Sequence, residues 1–135
     1  MNILYVCVHN AGRSQMAEAI TNEIASEDGI SVEAKSAGTI GGKDLNPMAV
    51  EVMLEMGISM EGQAPKLLTA ELIEWADRVI TMGCGVDADA CPAGFMITED
   101  WGLDDPSGQD IEAVRRIRDQ IRERVLTIFD DEEIR

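Results

Sequence analysis

Positive charge is what this chain has least of. It sets 11 Lys and Arg against 26 Asp and Glu, for a formal net charge of −15, and its lysines are Lys35, Lys43 and Lys66. A surface of that sign excludes nucleic acid and anionic membrane as partners. Abundant acid with scarce lysine fits either an ordinary acidic soluble protein or one from a high-salt cytoplasm, where screening shortens to about 3 Å at 1 M. Apolar runs long enough to span a bilayer are missing, as is a basic, apolar leader, so a cytoplasmic location is expected. The cysteines number three, an odd count that suits free thiols in a reducing compartment better than a disulfide framework. With 135 residues, 45% of them hydrophobic, the chain has enough for one folded domain over residues 1–135 and not for two.

What is present centres on Cys7-Val8-His9-Asn10-Ala11-Gly12-Arg13-Ser14. An apolar run, Ile3 to Val6, precedes it and reads as a buried strand; Gln15 to Ile20 follows and reads as the start of a helix. A tight loop closing on a helix N-terminus turns several peptide N–H groups toward one point, and the helix dipole adds to them. Residues 8–14 are therefore expected to bind an oxyanion, with Arg13 gripping two of its oxygens. The same field favours a thiolate, making Cys7 the candidate nucleophile, and the Ser14 hydroxyl can donate to its sulfur. Alone, Cys7 would read as a small buried hydrophobe; the strand–C-x5-R-S–helix context argues for chemistry. His9, the sole histidine, is assigned to the loop rather than to the chemistry.

Along the chain, strand 2–6, helix 13–27 ending at Asp28-Gly29, and an alternating strand over Ile30–Lys35 predict a parallel pair with a right-handed crossover. Ser36-Ala37-Gly38 then closes the strand and a loop runs from Thr39 to Leu45. Asn46 and Pro47 read as the N-cap and first residue of a helix reaching about Met56, with Val50, Met53 and Leu54 toward the core. Thr69 caps a short helix to Trp75. Strands are expected at Arg78–Met82 and Phe95–Ile97, and a long helix over residues 109–130. These elements predict an α/β three-layer sandwich: a four-stranded parallel sheet between helices, with its site at the carboxyl ends of the strands.

Cys84 and Cys91 follow the third of these strands. Their spacing lacks the tight pairing of a zinc site. Burial is one alternative; a redox pair fits better, since both thiols would lie across the sheet top from Cys7. If residues 84–91 were helical the two would be about 10.5 Å apart along the axis. A disulfide needs Cα atoms within about 7 Å, so forming one would unwind the segment. Gly83 and Gly85 make that inexpensive.

The stretch from Cys7 to Ser14 resembles the phosphate-binding loop of the low-molecular-weight tyrosine phosphatase superfamily, which includes the thioredoxin-coupled arsenate reductases. Ser36-Ala37-Gly38, Asn46-Pro47, the Cys84/Cys91 spacing and Trp101 to Pro106 extend the resemblance almost end to end, and the cysteine pair is what points to the reductases. The resemblance implies that Cys7 attacks arsenate, or phosphate in a side reaction, while Asp105 protonates the leaving oxygen. It implies a disulfide that passes from Cys7–Cys84 to Cys84–Cys91, then to thioredoxin or a similar dithiol. It calls for no cofactor and no metal in catalysis, and for a monomer. The alternatives are a phosphomonoesterase using Cys7, Arg13 and Asp105, or a redox-sensing domain without turnover. Against the phosphatase, Ser107-Gly108 stands where such enzymes usually place aromatics. Many reductases of this type hold a potassium ion near the loop. Asn10, Ser36 and Glu18 match that site, whereas Ala64 and Lys66 replace a Thr and an Asp; the Lys66 ammonium is expected to brace Asn10 instead.

Overall fold

The computed structural model describes residues 1–40, 44–83, 99–106 and 108–131. The elements are β1 (Asn2–Cys7), α1 (Arg13–Asp28), β2 (Glu33–Gly38), α2 (Pro47–Glu55), α3 (Ala70–Trp75), β3 (Arg78–Thr81), β4 (Glu99–Asp100) and α4 (Ile111–Asp131). The strands form one parallel sheet in the order β2-β1-β3-β4, the last of them two residues long. Strand β1 is central because it is apolar on both faces. Ile3, Tyr5 and Cys7 point into the larger core with α1, α2 and α4, while Leu4 and Val6 meet Val79 and the α3 side chains Leu72 and Ile73. The result is the expected three-layer sandwich.

Helix α4 presents Val114, Ile117, Ile121, Val125 and Ile128 as a buried stripe at helical spacing. Helix α1 ends on Gly29 in the left-handed conformation, φ 65°, which returns its N–H to Ala25. Asn46 caps α2 as expected, its side chain accepting from the N–H groups of Met48 and Ala49. Among the described residues no helix is long and apolar enough to cross a membrane.

Three expectations are corrected. Strand β2 is Glu33–Gly38, not 30–35; Ser36, Ala37 and Gly38 pair with Tyr5, Val6 and Cys7 instead of closing the strand. Their small size permits this, since a Cβ on Gly38 would stand 2.7 Å from the Val8 carbonyl oxygen. Helix α2 buries Ala49, Val52 and Met53, whereas Leu54 is 57% exposed. Its inner stripe is rotated by one residue from the expected one, because the 49/52/53 face meets α4. Strand β3 ends at Thr81, one residue short of the expected Met82, whose N–H still bonds the Val6 carbonyl. The strand expected at Phe95–Ile97 lies outside the described residues; the described β4 pairs Glu99 and Asp100 with Ile80 and Thr81.

Candidate active site

The segment from Cys7 to Arg13 joins the end of β1 to the first turn of α1, at the carboxyl edge of the sheet. Five of its carbonyls are spoken for. Those of Cys7 and Val8 accept from Thr39 and Ile40, that of Ala11 from Asn46, that of Gly12 from Met16, and that of Asn10 from the Gln15 side chain. No peptide N–H from Val8 to Gly12 finds an acceptor among the described residues. A loop with most of its acceptors consumed and its donors left over, at a helix N-terminus, has the backbone geometry to receive an anion.

Arg13 completes it. The side chain is 8% exposed, and its Nη1 donates to the carbonyls of Met82 at 3.0 Å and Leu103 at 2.9 Å. Both Nη1 hydrogens are thereby used, and the Nε/Nη2 edge has no hydrogen bond among the described residues. That edge has the geometry to grip two oxygens of a tetrahedral anion. Gly83 is obligatory behind it: φ is +132°, and a Cβ would stand 2.9 Å from Nη1.

A directed chain of hydrogen bonds ends on the Cys7 sulfur. Asn10 is fully buried and left-handed, φ 55°. Its Oδ1 accepts the peptide N–H of Lys66 at 2.8 Å. A peptide N–H can only donate, so the amide orientation is fixed and Nδ2 faces the Ser14 Oγ at 2.7 Å. Ser14 must accept there, leaving its own hydrogen for the Cys7 Sγ at 2.8 Å. Gln15, also fully buried, reinforces the chain through the Asn10 carbonyl and Oδ1 and the Ala64 carbonyl, and Gln63 donates to the Gln15 Oε1. Residues 63–66 thus strap the loop from outside.

This geometry corrects the expected role of the Lys66 ammonium. Asn10 is met by the Lys66 backbone, which the bridge between Gly38 and Leu67 holds in place. The ammonium lies 3.5 Å from the Glu18 Oε1, an oxygen that also accepts from the Ser36 Oγ at 2.9 Å. Ser36 therefore acts on Glu18.

Above the sulfur opens a cavity of about 840 Å³, lined by Cys7, His9, Arg13, Asp44, Met48 and Asp105 among others. Asp105 is exposed and reaches it from the loop ahead of α4, whose Pro106 packs on Gly12; a Cβ there would stand 2.9 Å from the proline Cγ. No Phe, Tyr or Trp side chain lines the cavity among the described residues. Cys84, Cys91 and Ser107 lie outside the described residues. Sequence reasoning missed Gln15, Gln63 and Gln109: the first is a polar side chain on the buried face of α1, the second is half-buried in a loop, and nothing in periodicity distinguishes them from surface glutamines.

Residues 2–135 match the family profile of low molecular weight phosphotyrosine protein phosphatases. The chain belongs to this family. An arsenate reductase of Halalkalibacterium halodurans is 38% identical over 133 residues, 93% of this chain and 92% of that protein. A solved arsenate reductase in its phosphate-binding state superposes with a TM-score of 0.82 at 32% identity, covering 99% of this chain and 98% of that one. A thioredoxin-dependent arsenate reductase of Corynebacterium glutamicum gives 0.77 at 36% identity, covering 96% of this chain and 60% of that one. The family's reductase members are thus similar to this chain in both sequence and fold.

Proposed function

We propose that this protein reduces arsenate to arsenite. The observation that carries the reading is a cysteine sulfur fixed by Ser14 on the floor of a loop with five peptide donors unclaimed among the described residues, beside the Arg13 fork. The likeness to arsenate reductases supports the choice of arsenic over phosphorus. So does a cavity without Phe, Tyr or Trp walls among its described residues.

The steps balance as follows. The Cys7 thiolate bonds to arsenic, and an arsenic–oxygen bond breaks as Asp105 passes its proton to the departing oxygen, which leaves as water. The Cys84 thiolate attacks the Cys7 sulfur. The sulfur–arsenic electron pair stays on arsenic, reducing As(V) to As(III), and arsenite departs. Cys91 then attacks Cys84 and releases the Cys7 thiolate. The Cys84–Cys91 disulfide takes two electrons from thioredoxin or a similar dithiol protein. Sequence spacing supports the last two steps. The protein works as a monomer in the cytoplasm, without a bound cofactor.

The second reading, favoured by the family and by the same geometry, is hydrolysis of small phosphate esters through Cys7, Arg13 and Asp105. Arsenite formation by the purified protein with arsenate, thioredoxin and thioredoxin reductase, beside a phosphate-ester assay, decides between them. Ester turnover without arsenite would overturn the first reading, and inertness in both assays would leave a redox-sensing domain.

A further inference from the structure

The acid side of the site holds a side chain that the scheme above does not use. Ahead of α4 the chain makes a turn: the Gln109 N–H returns to the Pro106 carbonyl at 3.2 Å, and Gly108 has φ 76°. The Gln109 side chain then crosses the turn, and its Nε2 donates to the Asp105 carbonyl at 2.6 Å. That carbonyl belongs to the residue whose carboxyl must deliver the proton. Below the turn, Pro106 sits on Gly12 of the loop. Behind it, the Leu103 carbonyl is tied to Arg13 and the Leu103 N–H to Met82. After it, Asp110 receives the Ala113 N–H and starts α4. Asp105 itself is thus held from one side by proline packing and from the other by Gln109, which also lines the cavity.

We propose that Gln109 is a positioning residue for Asp105: its amide fixes the backbone from which the carboxyl reaches the departing oxygen. This rests on the reading of Asp105 as the general acid. In the ester reaction the Cys7 sulfur bonds to phosphorus, the bond to the alcohol oxygen breaks, and the Asp105 proton goes to that oxygen. A poor leaving group needs that proton in the transition state; a good one departs as the anion. Misplacing the acid therefore changes the ratio of the two rates. General loosening of the fold would lower both together. Since a placed acid supplies about 10²–10⁴-fold, losing part of its placement is expected to cost about tenfold.

The test compares wild type, Gln109→Ala, Gln109→Lys and Asp105→Asn on phenyl phosphate and 2,4-dinitrophenyl phosphate. A parallel arm follows single-turnover loss of thiols driven by arsenate. Gln109→Ala should lower the phenyl to dinitrophenyl rate ratio about tenfold and slow the arsenate step similarly. Gln109→Lys, which keeps a donor at that point, should restore much of both. Asp105→Asn should lower the ratio further than either. If Asp105→Asn shifts the ratio and slows the arsenate step while Gln109→Ala matches wild type in both, Gln109 has no positioning role. If Asp105→Asn leaves both unchanged, the reading of Asp105 as the acid fails, and this proposal with it. Where ester turnover is too slow to follow, the arsenate arm decides by the same comparison.

Discussion

The two sides of the cradle are built by different means. On the strap side, buried side chains from Gln15, Asn10 and Ser14 link peptide groups of residues 64 and 66 to the sulfur, and every bond in the chain has one permitted direction. On the acid side, an exposed turn rests on the Pro106–Gly12 contact and the Gln109 bond. The difference fits what the proposed reaction would ask of each. The nucleophile needs a fixed donor in a place that excludes water, where an unpaired amide would be costly. The acid must exchange protons with solvent between turnovers, so it has to stay wet.

The largest expected effect removes what both sides serve. Cys7→Ser should lower arsenate reduction and ester hydrolysis together by more than about a thousandfold. Retained turnover of either substrate would take the sulfur out of its role. Next comes the strap side alone. Asn10→Ala strands the Lys66 N–H, removes the donor to the Ser14 Oγ and puts alanine at φ 55°. It should cost about 1–3 kcal/mol in urea denaturation and slow alkylation of Cys7 at neutral pH. Unchanged alkylation would mean that the hydrogen-bond chain does not reach the sulfur.

A third pair of variants separates the cradle from the relay. Cys84→Ser and Cys91→Ser should each stop multiple-turnover reduction with thioredoxin and spare ester hydrolysis. Wild-type turnover by the Cys91 variant would remove the final disulfide step. Smaller still is the effect of Lys66→Ala. The mutation keeps the peptide N–H on Asn10 and deletes the ammonium beside Glu18, so KM should rise a few-fold at most. Wild-type activity should not distinguish potassium from sodium at fixed ionic strength; saturable stimulation by potassium would show that Lys66 does not take the place of the ion.

The last prediction is a control far from both sides. Glu55 takes a bidentate contact from Arg115 and a further one from Arg118, and the Arg115 hydrogen bond holds its carboxyl below the usual carboxylate range. A depressed folded value means that its stabilising effect is present above the unfolded carboxylate pKa, and is lost as pH falls through the folded one. Glu55→Gln should therefore lower Tm slightly at neutral pH and make no difference in strong acid. Both sides of the site should be unaffected at either pH.

The cradle could be read from the sequence because its chemistry is contiguous: one strand end, one loop and one helix start carry Cys7, Arg13 and Ser14. The strap could not, because Lys66 and Ala64 act through peptide groups that any residue supplies. For the same reason the Lys66 side chain drew attention to a contact that its backbone makes. The core stripe of α4 was legible because its apolar residues repeat at helical spacing over five positions. The stripe of α2 was not, since Met48 to Leu54 contains apolar residues on every side and only the packing against α4 selects one.

The peptide donors left unclaimed among the described residues have a kinetic consequence. Dipoles reach only a few ångströms, whereas a net charge of −15 repels an incoming anion from much farther away. Approach and grip are thus governed by opposite fields, one long-ranged and screened by salt, the other short-ranged and sheltered from it. Added salt should then speed oxyanion capture and leave its release almost untouched, the reverse of the behaviour of an enzyme that steers its substrate by charge. This acidic protein would be slowest to find its substrate in dilute buffer.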